Sequence, residues 1–196
     1  MKKILTFIAV TACLMASTFA VSFAVGGRGL LGKNIRPDVD GYNGLVSGAG
    51  AFFNLDLIGG FGFQGELNIT TSKIETGDKS VTVTDYQILD LPFMLWDNMK
   101  IGPIALGGGL GINFSTGLNN KNDDKNDYFS AGLAAGANII TYFNEHFGLV
   151  LGGNFVWDCI PITSKSDSKE SVTYYYDDIN SRRMAAYASL GLEYKF

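Results

Sequence analysis

Met184-Ala185-Ala186-Tyr187-Ala188-Ser189-Leu190-Gly191-Leu192-Glu193-Tyr194-Lys195-Phe196 reads in twos. Counting back from Phe196 collects Tyr194, Leu192, Leu190, Ala188, Ala186 and Met184. The other parity carries Lys195, Glu193, Ser189 and, just upstream, Arg183. Successive side chains of a strand point to opposite faces, so this stretch is a strand with one apolar and one polar face. The same alternation recurs upstream in seven segments, approximately 21–32, 44–56, 60–72, 81–96, 99–115, 128–142 and 147–161, with 182–196 as the eighth. The chain is therefore expected to be all-β. Past the first twenty residues no stretch reaches the roughly 18 consecutive apolar residues of a membrane-spanning helix. If the chain crosses a membrane, it does so as a closed β-barrel, which satisfies every backbone group in lipid.

The connections alternate in length. Those after the second, fourth and sixth strands are short, around Asp56-Leu57-Ile58-Gly59, Asp97-Asn98 and Asn144-Glu145-His146. Those after the first, third, fifth and seventh are longer and polar, such as Gly117 to Asp127 and Ser164 to Ser181. Short turns at one end and long loops at the other describe an eight-stranded antiparallel up-and-down transmembrane barrel with periplasmic termini and extracellular long loops.

Sorting by parity separates two sets. One is apolar: Phe61, Phe63, Leu67 and Ile69, then Leu89, Leu91, Phe93 and Leu95, and so on to Phe155 and Trp157. The other collects Arg28, Gln64, Glu66, Asn68, Asp90, Asn113, Ser130, Asn138, Asn154, Asp158 and Arg183 among glycines. Alternation alone fits two arrangements, since a soluble lipocalin-type barrel has the same period with its apolar side inward. Composition favours the polar side inward, because a solvated exterior is normally rich in Lys and Glu, whereas small polar residues with few charges suit a narrow lumen. Phe93, Trp96, Tyr142, Phe143, Phe147 and Tyr194 are expected in an aromatic girdle near the short turns. Asp85 and Gln87 share the apolar parity of the fourth strand, which predicts a bulge there or a start above the membrane.

Lys2 and Lys3, the apolar run Ile4 to Met15 and the small residues ending at Ala20 have the layout of a secretory signal peptide, residues 1–20. Cleavage after Ala24 is the alternative. Val10-Thr11-Ala12-Cys13 forms a loose lipoprotein box, with only about six apolar residues ahead of the cysteine, short of the usual h-region. Cleavage at Ala20 leaves about 176 residues of 196 as one barrel domain, 21–196, and takes the formal net charge from −4 to −6. Nothing in that balance favours nucleic acid. Cys159 is then the only cysteine, so no intramolecular disulfide can form.

Phe63-Gln64-Gly65-Glu66-Leu67 and Tyr86-Gln87-Ile88-Leu89-Asp90-Leu91-Pro92-Phe93-Met94-Leu95, followed by Ile101-Gly102-Pro103 and a Gly-rich fifth strand, resemble the small outer-membrane β-barrel domains described as OmpX-like or PorT-like. The resemblance implies that fold and an outer-membrane location, with membrane lipid as the surroundings. It does not carry a function, since that family includes adhesins, secretion accessories and members without an assigned role. The terminal pair Tyr194 and Phe196 likewise resembles the signal read by the barrel-assembly machinery.

Glu66 and Asp90 share the polar face with Arg28 and Arg183. In a lumen just wide enough for side chains, such charges must be paired, so an internal plug is expected rather than a catalytic or proton-conducting site. His146, the only histidine, falls in a short turn beside Glu145. The barrels known as outer-membrane proteases and lipid-A-modifying enzymes need one near the opposite rim, so no catalytic residue is expected. Neither a metal nor a cofactor is expected: Asn119 to Asp127 lacks the Gly and terminal Glu of an EF-hand loop, and Gly26-Gly27-Arg28-Gly29 and Gly107-Gly108-Gly109 precede no helix. Tyr174, Tyr175 and Tyr176, in the last long loop, offer large amphipathic rings for a host or matrix ligand. The expected role is structural or adhesive. A small pore is the alternative.

Overall fold

The computed structural model describes residues 22–35, 43–75, 86–118, 129–163 and 183–196. They form eight strands: β1 Ser22–Ile35, β2 Asn43–Ile58, β3 Phe61–Glu75, β4 Tyr86–Ile101, β5 Ile104–Gly117, β6 Phe129–Tyr142, β7 Phe147–Thr163 and β8 Met184–Lys195. Each pairs antiparallel with its sequence neighbour, and β8 pairs with β1, closing the barrel. The expected signal segment and Tyr174 to Tyr176 lie outside the described residues.

Directly opposed residues trace the geometry. A row leaving Ser22 passes Asp56, Gly62, Trp96, Gly109, Gly136, Asn154 and Tyr187 and re-enters β1 at Gly32, ten residues beyond its start. With about 3.3 Å of rise per residue and about 4.8 Å between strands, this offset over eight strands tilts them by about 40°. The backbone cylinder then has a radius of only about 8 Å, so side chains from opposite walls meet.

The strand boundaries differ from the sequence reading in one instructive place. Asp97 and Asn98 do not form the turn after β4. They stay in the ladder, opposite Gly108 and Gly107, and the chain reverses at Gly102, whose φ of 61° lies in the left-handed region open to glycine. Gln87 lies on the outward face at the upper end of β4 without a register shift there, and Asp85 is outside the described residues. The register shifts fall instead near Asp56 and in the β6–β7 pair around Phe129 to Leu133. Pro92 has no N–H to give, and the β3–β4 ladder is interrupted opposite it, between Gly65 and Asn68.

The outward parity is apolar. Phe61, Phe63, Leu67, Leu95, Leu110, Ile112, Leu133, Ile139, Leu151 and Leu190 are all exposed, Leu110 at 71 %. The band ends toward the long connections at Lys33, Thr71, Gln87 and Thr116.

Near the short turns, rings lace the seam between β1 and β8. Phe53 approaches Phe23 (6.4 Å between centroids), Phe23 meets Phe196 (5.6 Å), and Tyr194 packs edge-on to both Phe196 and Phe147 at 4.9 Å. The Phe196 N–H donates to the Phe23 carbonyl at 2.9 Å. Phe93 is outward but lies at mid-wall, opposite Gly65 and Ile112.

Candidate functional site

Because the wall is closed and its outer face apolar, the lumen and its two ends hold the polar chemistry. Arg28, Gln64, Glu66, Asp90, Asn113, Asn138, Asn154, Asp158 and Arg183 all lie inside, each 6 % exposed or less. All but Asn138 fall into two ion clusters.

At mid-height Arg28 pairs with Glu66 across β2. The Glu66 carboxylate also accepts from Gln64, from Asn68 at 2.9 Å and from Asn154 at 2.8 and 2.9 Å. Every one of its donors is buried, and the Arg28 guanidinium sits 5.5 Å from the Phe52 ring centre.

Nearer the long connections Arg183, one residue ahead of β8, pairs with Asp90 and donates through Nε to Asp158 at 2.7 Å. Ser115 Oγ lies 2.6 Å from Asp90 and 2.8 Å from Asp158, and the Tyr187 hydroxyl donates to Asp90 at 2.9 Å. Thus Glu66 and Asp90, although on neighbouring strands, serve different arginines.

Sequence reading did not anticipate how apolar the lumen is. Val46, Met94, Trp96, Ala134, Val156, Ala185 and Tyr187 form one buried cluster, and Phe52, Ala105, Ile140 and Val150 a second, with Tyr142 against it. Trp96 therefore does not belong to the girdle. It shares the inward parity of Asp90, is 2 % exposed, and its indole N–H donates to Asn98 at 3.0 Å. Its ring occupies space left by glycines: a Cβ on Gly109 or Gly136 would come within 2.6 or 3.0 Å of it.

Tyr142 also turns inward, donating to Glu193 at 2.6 Å, because an apolar ring with a polar tip fits the lumen mouth when a carboxylate is there to receive it. Around it lies a third polar group that the parity rule could have supplied. Asn54 donates to Glu193 at 3.0 Å, and Asp56 accepts from Ser22 at 2.9 Å and Asn98 at 2.7 Å.

His146 lies in the short β6–β7 turn, exposed, stacked on Tyr194 with Nδ1 2.8 Å from the Lys195 carbonyl. Its ring hydrogen bond thus goes to the backbone rather than to the acid or hydroxyl of a catalytic dyad. The described residues hold no cluster of three or more His, Cys, Asp or Glu side chains placed to hold a metal ion.

No family model matches the sequence, and no curated protein matches it. Solved structures do. OprG of Pseudomonas aeruginosa aligns over 90 % of this chain and 95 % of its own at 14 % identity and a TM-score of 0.56. Neisserial surface protein A aligns over 89 % and 97 %, also at 14 % identity and 0.56. Ail, the attachment invasion locus protein of Yersinia pestis, solved with the heparin analogue sucrose octasulfate, aligns over 90 % and 99 % at 14 % identity and 0.52. Closed, antiparallel, eight-stranded and apolar outside, the chain has the fold of the small outer-membrane β-barrels.

Proposed function

We propose that this protein is a non-enzymatic barrel of the bacterial outer membrane, with a plugged lumen, periplasmic termini and four loops displayed at the cell surface for a structural or adhesive role. The carrying observation is the combination of an apolar outer wall with a lumen closed by alternating ion clusters and apolar side chains. A water-soluble barrel exposing so many large apolar residues in one band would aggregate, whereas lipid solvates them. The filled lumen supports a plug over the alternative of a pore, since eight tilted strands leave no width beyond those side chains.

The loop partner is not expected to be a polysulfated ligand like the heparin analogue sucrose octasulfate in the Ail structure. Each long connection carries one more acid than base: Arg36 against Asp38 and Asp40; Lys79 against Asp78 and Asp85; Lys121 and Lys125 against Asp123, Asp124 and Asp127; and Lys165, Lys169 and Arg182 against Asp167, Glu170, Asp177 and Asp178. An acidic crown repels polyanions and favours a basic partner, with Tyr174 to Tyr176 supplying the apolar contact. Protease added to intact cells is expected to cut between Ser164 and Ser181 or at Lys121 and Lys125, leaving the Glu145-His146 turn uncut. Cleavage at that turn in intact cells would invert the proposed topology.

The seam contacts of Phe196 support its reading as part of the assembly signal, together with Tyr194. Deleting Phe196 is expected to lower the amount of assembled barrel severalfold in immunoblots of outer membranes, while Lys195→Ala, on the lumen parity, leaves it near wild type. Equal losses would remove the case for a terminal signal.

A further inference from the structure

The outer wall is not evenly filled. Between β4 and β7 a groove of about 880 Å³ crosses the apolar band, with Gly108, Ala137 and Gly153 along it and Leu95, Leu110 and Phe155 beside them. The three small residues are opposed in one row, Gly108 to Ala137 and Ala137 to Gly153. Packing inside the barrel does not dictate these glycines. A Cβ on Gly108 or Gly153 would approach nothing closer than 3.6 or 3.5 Å, whereas one on the adjacent inward position Gly109 would lie 2.2 Å from the Leu95 carbonyl. At Gly108 and Gly153 the missing side chains therefore leave open space on the outer surface.

At the end of this groove nearer the short turns stands Asp97. It is exposed, has the outward parity of Leu95 and Met99, and is directly opposed to Gly108 on one side and Phe61 on the other. The ion pairs among the described residues belong to Arg28 and Arg183, so no cationic side chain there neutralises it. An unpaired carboxylate at the lipid boundary is costly to leave beside hydrocarbon, and a cationic group brought to it recovers part of that cost.

The two features together match an amphiphile with a positively charged head. We propose that the groove is a binding site for one aminophospholipid of the leaflet that borders the short turns, its ammonium on Asp97 and one acyl chain along Gly108, Ala137 and Gly153. The charge complementarity selects the head. A phosphatidylglycerol head has no ammonium: it offers Asp97 neutral hydroxyls and an uncompensated phosphate, a like-charge encounter. The site rests on the lipid-embedded reading of the barrel, and the test separates the two.

Purified, folded full-length barrel in detergent micelles, given equimolar phosphatidylethanolamine and phosphatidylglycerol of identical chains, is examined by native mass spectrometry. Phosphatidylethanolamine is expected to be retained about fivefold more, the scale of one exposed charge pair. Asp97→Asn should bring the ratio to about one, and Gly153→Leu should reduce retention of both lipids. Different migration of each variant before and after boiling shows that the barrel is folded, so the membrane reading stands or falls on its own. Equal retention of the two lipids by the unaltered protein, or a preference that survives Asp97→Asn, overturns the proposal. A dimer abolished by Gly153→Leu would assign the groove to a second copy of the chain and overturn it as well.

Discussion

Leu110→Arg is expected to destabilise the barrel by about 2–4 kcal/mol when unfolding is followed by urea titration in lipid vesicles. Leu110 is the most exposed large apolar residue among those described, at 71 %, and it lies at the middle of the band, opposite Leu95 on β4 and Ala135 on β6. In water the substitution would be nearly neutral or favourable, since it replaces an exposed apolar side chain by a solvated charge without touching a packed neighbour. In lipid the guanidinium must reach a distant interface or draw water into the hydrocarbon. Opposite signs in the two solvents make this one substitution a direct test of the surroundings of the barrel. Leu110→Ser, which adds no charge, should cost much less. An Arg variant as stable as the original protein would place this wall in water and overturn the lipid-embedded reading.

Period-two patterning carried most of the architecture in the sequence, because a strand with two chemically different sides cannot slip by one residue without exposing the wrong face. Which parity faced inward was also legible, from the scarcity of Lys and Glu on the polar side. Where the sequence reading failed, it used residue identity in place of parity. Trp96 and Tyr142 were expected in the girdle as aromatics near a short turn, yet both have inward parity, and each finds a polar partner there, Asn98 and Glu193. Asp97-Asn98 looks like a turn by composition. β4 nevertheless runs five residues past the expected end at 96, to Ile101, before the chain reverses. That these charges pair was legible, but not which acid serves which arginine: contacts across the lumen depend on the shear, and the ten-residue offset puts Arg28 beside Glu66 and Arg183 beside Asp90 and Asp158.

Arg28→Ala is expected to cost about 3–5 kcal/mol in the same unfolding assay, the largest effect foreseen for a lumen residue. The reason lies in what remains. Glu66 would stay buried with amide donors from Gln64, Asn68 and Asn154 but with no counter-charge, while the Phe52 ring would lose the guanidinium beside it. Burial of an uncompensated carboxylate, rather than the loss of one contact, sets the magnitude. Combining Arg28→Ala with Glu66→Gln should therefore recover a large part of the loss, because a neutral amide still accepts from those neighbours through its oxygen. Glu66→Gln alone should also be damaging, as it strands the Arg28 charge in the lumen. A coupling of about 2–3 kcal/mol between the two sites is the expected outcome of the double-mutant cycle. Additive effects would mean that water reaches Glu66 in the variants. The lumen would then be hydrated space rather than a plug, and the pore reading would regain its footing.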